Sequence, residues 1–321
     1  MMAAGTTGGC RLKEGRKAKN MARIHTYLSA LRMYQWTKNL LVLAPLIFAK
    51  QMHLPDQVMR SGIALAAFCL AASATYLFND LMDIEKDRAH PAKRKRPLPS
   101  GALDPATAWA MLLLCLAGAV ALAFFLGRPF FGALCFYVGL TTAYSLMLKH
   151  MIIIDVLCIA LGFVLRAMAG AVALDVAFSN WLVVCTLFLA LFLGLCKRRQ
   201  EILLLEEGAE NHRRVLLHYT VPYIDQLILI VSSGALITYT IYTCSPEVVE
   251  RLGTDKLYMT LPFVVYGLFR YLFLVHPSSG GGDPSAGLMR DRPLGFSVVL
   301  WAVACATIMY FWSVPVPALL E

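Results

Sequence analysis

Apolar residues run through the chain in blocks broken by short polar or Pro-bearing stretches. Most blocks reach the roughly 17 to 25 residues with which a helix crosses a bilayer core of about 30 Å. Nine are read, over 39–53, 61–79, 106–126, 129–147, 151–174, 179–196, 222–244, 258–275 and 294–314. The first is short, and the fourth and fifth are parted only by a turn at Lys149 and His150. This pattern predicts an all-α integral membrane protein of about nine transmembrane helices. No linker or soluble domain separates the blocks, so a single membrane-embedded domain is expected over 25–321, behind a mobile basic tail over 1–24 that lacks the apolar core of a signal peptide.

Composition agrees. Of 321 residues, 59% are hydrophobic and only 15% charged, more apolar surface than one soluble core of this length hides. Lys and Arg collect in the loops of one side, 22 against five on the other when the N-terminus is placed inside, which predicts a multi-pass plasma-membrane protein with those loops in the cytoplasm. The net charge of +9 follows this bias, so membrane lipids and phosphorylated substrates are expected partners, and nucleic acid is not. The nine cysteines are scattered without a C-x-x-C pair and read as packing residues.

The second block ends in Asn79-Asp80-Leu81-Met82-Asp83-Ile84-Glu85-Lys86-Asp87-Arg88. On a helix, Asn79, Asp83 and Asp87 recur at four-residue steps with Asp80 beside them, so their oxygens can share one face. Gathered carboxylates repel unless a hard cation sits among them, which suits Mg²⁺, or Mn²⁺, together with a diphosphate. Asp80, Asp83 and Asp87 are the expected metal ligands. The following His90-Pro91-Ala92-Lys93-Arg94-Lys95-Arg96-Pro97 supplies cations for phosphate oxygens, and the same residues would also anchor topology.

A second constellation, Tyr144, Lys149 and Asp155, lies at the turn between the fourth and fifth blocks. Arg166 follows Asp155 by eleven residues, roughly 16 Å deeper on nearly the same face, where a charge should meet the bundle interior or an acidic partner. The sixth block ends in Lys197-Arg198-Arg199-Gln200-Glu201, in which Lys197 and Glu201 could pair. Gln35-Trp36-Thr37-Lys38-Asn39 precedes the first block, and Gly280-Gly281-Gly282-Asp283-Pro284 reads as a connector, because it lacks a phosphate-loop pattern.

The N-D-x-x-D-x-x-x-D run at Asn79, Asp80, Asp83 and Asp87 resembles the motif of the UbiA prenyltransferase superfamily, and implies a UbiA-like bundle with a cytoplasm-facing cavity. Aromatic prenyltransferases of that superfamily carry a second D-x-x-x-D, where this chain has Tyr144, Lys149 and Asp155. That combination is similar to the decaprenyl-phosphate phosphoribosyltransferase branch, as are Gln35-Trp36-x-Lys38-Asn39, Asp87-Arg88-x-His90-Pro91-x-Lys93-Arg94-x-Arg96-Pro97, Gly162-Phe163-x-x-Arg166 and Lys197-Arg198-x-x-Glu201. The resemblance implies Mg-dependent transfer of 5-phosphoribose from 5-phosphoribosyl 1-diphosphate to a polyprenyl (decaprenyl-type) monophosphate, with release of diphosphate. In that family the step serves cell envelope biosynthesis.

Under this reading Asp80, Asp83, Asp87, Tyr144, Lys149 and Asp155 carry the catalysis, with Asp155 steadying the sugar ring or its hydroxyls. Lys38, Asn79, Arg88, Lys93, Arg94, Arg96, Arg166, Lys197 and Arg198 bind substrate. A homo-oligomer is compatible with the sequence. The competing expectations are an aromatic prenyltransferase using a prenyl diphosphate at the same acidic cluster, and a polyprenyl-phosphate carrier or transporter, for which no internal repeat is seen.

Overall fold

The computed structural model describes residues 21, 23–89, 93–177, 179–206 and 219–275, together with 291–312, and for 204–206 the backbone alone. The basic tail, His90, Pro91 and the Gly280–Pro284 connector fall outside the described residues, apart from a few positions of the tail. Among the described residues the chain is helical without strands.

Among these residues eight helices are long and apolar enough to cross a bilayer: α1 Pro55–Met82, α2 Pro105–Leu126, α3 Arg128–Leu146, α4 Ile154–Leu174, α5 Asn180–Glu206, α6 Val221–Cys244, α7 Leu261–Val275 with the 3₁₀ turn Lys256–Thr260 before it, and α8 Arg292–Phe311. Proline recurs in the first two positions of six of them, α1, α2, α3, α6, α7 and α8. There its missing N–H costs nothing and its fixed φ favours the helix. Asp104, Thr220 and Asp291 cap three of these starts, each accepting a hydrogen bond from the backbone N–H three residues on. The helix α5 continues ten residues past the predicted end of its span, carrying Lys197–Glu201 beyond the apolar block.

The first predicted span takes another form. In place of a helix over 39–53 there is a 3₁₀ helix Met33–Leu43 of 11 residues and a short α-helix Ala44–Phe48 of 5. Rising about 2.0 Å per residue in the 3₁₀ part and 1.5 Å in the α part, this segment still covers on the order of 30 Å. It runs antiparallel to α1, with Arg32 bonded to Asp80, the Trp36 indole N–H to Ser73 Oγ (3.0 Å) and the Asn39 amide to Cys69 Sγ (3.5 Å).

Burial separates the inner helices from the outer ones. In α1 and α4, 61% of the spanning residues are buried within the protein, against 22–28% in α2, α3, α5, α7 and α8. The outer helices therefore turn their apolar faces to lipid. Around α1 and α4 the core is built from small residues, Ala64, Ala67, Ala71, Ala119, Ala123, Ala169 and Ala173, against Val42, Phe68 and Phe130. Small side chains let backbones approach, which is what drives helix association where lipid replaces water. Among the described glycines the tightest is Gly170, where an added Cβ would lie 2.1 Å from the Val42 carbonyl oxygen.

Candidate active site

Among the described residues, most ion pairs gather at one end of the bundle. The helix α1 closes at Asp83, whose φ of −107° and ψ of 15° leave the helical region, and a second helix, Ile84–Ala89, follows at once. The four acidic-motif residues thus lie on two helices joined at Asp83, where the spacing had suggested one continuous face. Asp80 and Asp87 still converge, because Arg96 Nη1 sits 3.2 Å from Asp80 and 2.7 Å from Asp87. Lys93 approaches Asp87 at 3.7 Å, and Arg32 bonds the same Asp80 oxygen as Arg96.

Asp83 is turned elsewhere. It accepts from Lys149 Nζ at 2.7 Å, and Lys149 is itself buried. Asn79 gives its backbone carbonyl to the Asp83 N–H at the helix end. Among the described residues no group of three His, Cys, Asp or Glu side chains stands close enough to hold a metal alone. The convergence of Asp80 and Asp87 on one guanidinium nitrogen nevertheless marks a cation position between two hard oxygen donors. Two carboxylates, with the remaining positions left to phosphate oxygens and water, are what Mg²⁺ usually takes.

The second cluster is built around Asp155, in the first turn of α4. It is fully buried and both oxygens are engaged: Arg198 Nε of α5 donates to Oδ2 at 2.9 Å, and the Tyr219 hydroxyl donates to Oδ1 at 3.1 Å. Arg198 also bonds Glu201, and its Nη2 stands 3.5 Å from the Tyr144 hydroxyl. Glu201 thus meets Arg198 three residues earlier, where a pair with the exposed Lys197 had been expected. Burial pushes the Tyr219 phenol up to about 12, so it stays protonated and donating. Enclosed in this way, Asp155 holds Arg198 and Tyr219 against the start of α4.

Arg166, midway along α4, makes its hydrogen bonds outside both clusters. Its partners are neutral: Asn39 Oδ1 at 2.7 Å, the Gly162 carbonyl at 2.6 Å and the Tyr137 hydroxyl at 2.8 Å, with the Tyr137 and Phe163 rings 4.8 and 5.3 Å from the guanidinium carbon. Among the described residues it has no acidic partner, and its bonds tie the 3₁₀ segment to α3 and α4. Arg88 is exposed and donates to the Pro99 carbonyl at 3.3 Å; Arg94 is exposed, and Lys38 is half-buried on the 3₁₀ segment. Two residues outside the expected set complete the clusters. Tyr219 offers no signal in the sequence. Arg32 offers none either, although its left-handed backbone (φ 50°, ψ 46°), unusual for a non-glycine residue, aims it at Asp80 and over the Tyr76 ring at 5.0 Å.

Known proteins resemble this chain along most of its length. A decaprenyl-phosphate phosphoribosyltransferase of Corynebacterium glutamicum is 32% identical, over 93% of this chain and 90% of that protein. Its counterpart of the same name in Mycolicibacterium smegmatis is 29% identical, over 88% and 92%. A UbiA homolog from Archaeoglobus fulgidus, solved bound to GPP and Mg²⁺, has the same fold, with a TM-score of 0.68 at 20% identity over 88% of this chain and 99% of that one. The model of the UbiA prenyltransferase family matches residues 40–290, which takes in both clusters apart from Arg32, and the chain belongs to that family.

Proposed function

We propose that this protein transfers 5-phosphoribose from 5-phosphoribosyl 1-diphosphate to a polyprenyl monophosphate, at an active site opening to the cytoplasmic side of the plasma membrane. The relatives that align along most of the chain carry the name of this activity. The observation that carries the reading is the state of Asp155. With both oxygens taken by Arg198 and Tyr219, it adds no second acidic motif, and the second cluster offers cations and phenols instead. One acidic cluster suits one metal-bound diphosphate, while Lys149, Arg198 and Tyr144 suit a phosphate and a sugar hydroxyl.

Asp80 and Asp87 would hold Mg²⁺, with Asp83 close by, and the metal would neutralise charge on the departing diphosphate. Arg32, Arg96 and Lys93 already lie against these carboxylates and are placed to turn to phosphate oxygens once a divalent cation takes the carboxylates. Lys149, Arg88, Arg94, Lys38, Lys197 and Arg198 supply the further cations that two anionic substrates need. An oxygen of the lipid phosphate attacks the anomeric carbon as the bond from that carbon to the diphosphate breaks, and the electron pair leaves with the diphosphate. Because a phosphate monoester with a second pKa near 6 is largely dianionic at pH 7, no side chain has to remove a proton.

The test is to incubate purified protein and Mg²⁺ with labelled phosphoribosyl diphosphate and a polyprenyl phosphate, and in parallel with a prenyl diphosphate and an aromatic acceptor. Formation of a lipid-soluble labelled phosphoribose only in the first mixture is expected. Prenylation in the second mixture with none in the first would replace this reading with that of an aromatic prenyltransferase.

A further inference from the structure

Below the Asp155 cluster, α4, α5 and α6 enclose a cleft of about 120 Å³ lined wholly by apolar surface. Val156 and Leu157 come from α4, Leu191 and Leu195 from α5, and Leu227 and Val231 from α6. Its upper rim is formed by Ile153 and Tyr219, and these two residues also belong to the polar cluster above. The Tyr219 ring lines the cleft while its hydroxyl donates to Asp155 and accepts from the Ile153 backbone N–H.

The rim is held in a costly conformation. Ile153 has φ 69° and ψ −44°, and the Ile154 N–H bonds the Ile152 carbonyl at 2.7 Å, a γ-turn of the strained hand. A β-branched residue at positive φ persists only where its surroundings impose it. Here they fix an apolar side chain and a polar cluster back to back. The same turn leaves Leu146, Met147, Met151 and Ile152 exposed beside the buried Lys149, so the entry to this corner is apolar at the edge of the membrane.

We propose that this cleft seats the isoprene units nearest the phosphate of the polyprenyl acceptor, with the phosphate itself among Arg198, Lys149 and Lys197 above the rim. The proposal rests on the transferase reading for the identity of its ligand. A long isoprenoid gains by burying methyl-bearing carbons against branched side chains, and its single charged end fixes the direction of insertion. The cleft supplies both features in the right order, apolar walls leading to a cationic head.

The experiment uses the full-length protein in lipid nanodiscs and a polyprenyl phosphate with a diazirine in one of the first isoprene units. After irradiation, label is expected on α4, α5 and α6 at Leu157, Leu191 or Leu227, competed by unlabelled polyprenyl phosphate and not by phospholipid. Label confined to other helices, or displaced equally by phospholipid, would overturn the proposal, the latter because the cleft would then be an ordinary acyl-chain site. As a second readout, Leu227→Trp is expected to raise KM for the polyprenyl phosphate about tenfold while KM for phosphoribosyl diphosphate stays within about twofold. Because labelling needs no turnover, a protein that labels in the cleft but transfers no phosphoribose would sink the transferase reading alone, whereas an active enzyme labelled elsewhere would sink only the cleft.

Discussion

Lys149 donates to Asp83 across 2.7 Å, joining the turn after α3 to the end of α1 over 66 positions of sequence. The pair spans the two clusters, one partner from each. Lys149→Ala should lower kcat/KM for phosphoribosyl diphosphate at least about tenfold, a barrier change of about 1.4 kcal/mol. Lys149→Arg should restore part of the loss if the role is to place a cation. Unchanged kinetics in folded Lys149→Ala would remove this residue from the site.

Asp80 and Asp87 share Arg96, and the same two carboxylates are the ones expected to hold the metal. Asp80→Asn and Asp87→Asn should each abolish turnover and weaken Mg²⁺ binding measured by calorimetry. A chelator should stop the wild-type reaction, with recovery on adding Mg²⁺ and a test of Mn²⁺ in its place. An Asp87→Asn enzyme that keeps both activity and metal affinity would be incompatible with the assignment.

Tyr219 connects Asp155 to the strained Ile153 turn, so Tyr219→Phe removes a donor and an acceptor together. A loss of about 1–3 kcal/mol is expected, with Asp155 left one partner short. Asp155→Ala should cost more, about 3–5 kcal/mol, because it leaves Arg198 buried beside Glu201 alone. Thermal unfolding of both variants checks the order. With the folded phenol at about 12 against 10.0 for an unperturbed one, the proton is held more tightly in the folded state, so this residue lowers stability only as pH rises between those values. A loss of stability at neutral pH that vanished in Tyr219→Phe would contradict this.

Gly170 lies where the 3₁₀ segment touches α4. Since a Cβ there would come within 2.1 Å of the Val42 carbonyl oxygen, Gly170→Ala must push two backbones apart. A lower melting temperature or loss of folded protein is expected, and size-exclusion profiles of detergent-solubilised protein will show it. Gly139→Ala is the control, because nothing lies within 4 Å of its added Cβ. Equal behaviour of the two variants would mean that the 3₁₀ segment is not packed this way.

Orientation rests on the distribution of Lys and Arg. A cysteine introduced at Arg94 should react with an impermeant reagent only from the cytoplasmic side, and one at Glu250 only from the outside. The reverse pattern would place the acidic cluster outside, where phosphoribosyl diphosphate is not made.

The sequence by itself determined the eight long helices, because an apolar run of bilayer length leaves a backbone in lipid no alternative to a helix that satisfies its own hydrogen bonds. It also marked the acidic window and the basic residues that follow it, since charge is costly in such a chain and stands out where it occurs. Only the tertiary structure decided which charges meet. The pairs Arg32–Asp80, Lys149–Asp83 and Arg198–Asp155 are separated by 48, 66 and 43 positions and depend on how α1, α4 and α5 lie against one another. The 3₁₀ form of Met33–Leu43 was equally illegible, because a short apolar run fits either helix type, and the choice follows from packing on α1 and from the glycine at 170. The enclosure of Asp155 depends on Tyr219, whose place beside it is set by α5 and α6 returning the chain to the same end of the bundle, a consequence of helix packing that no local pattern encodes.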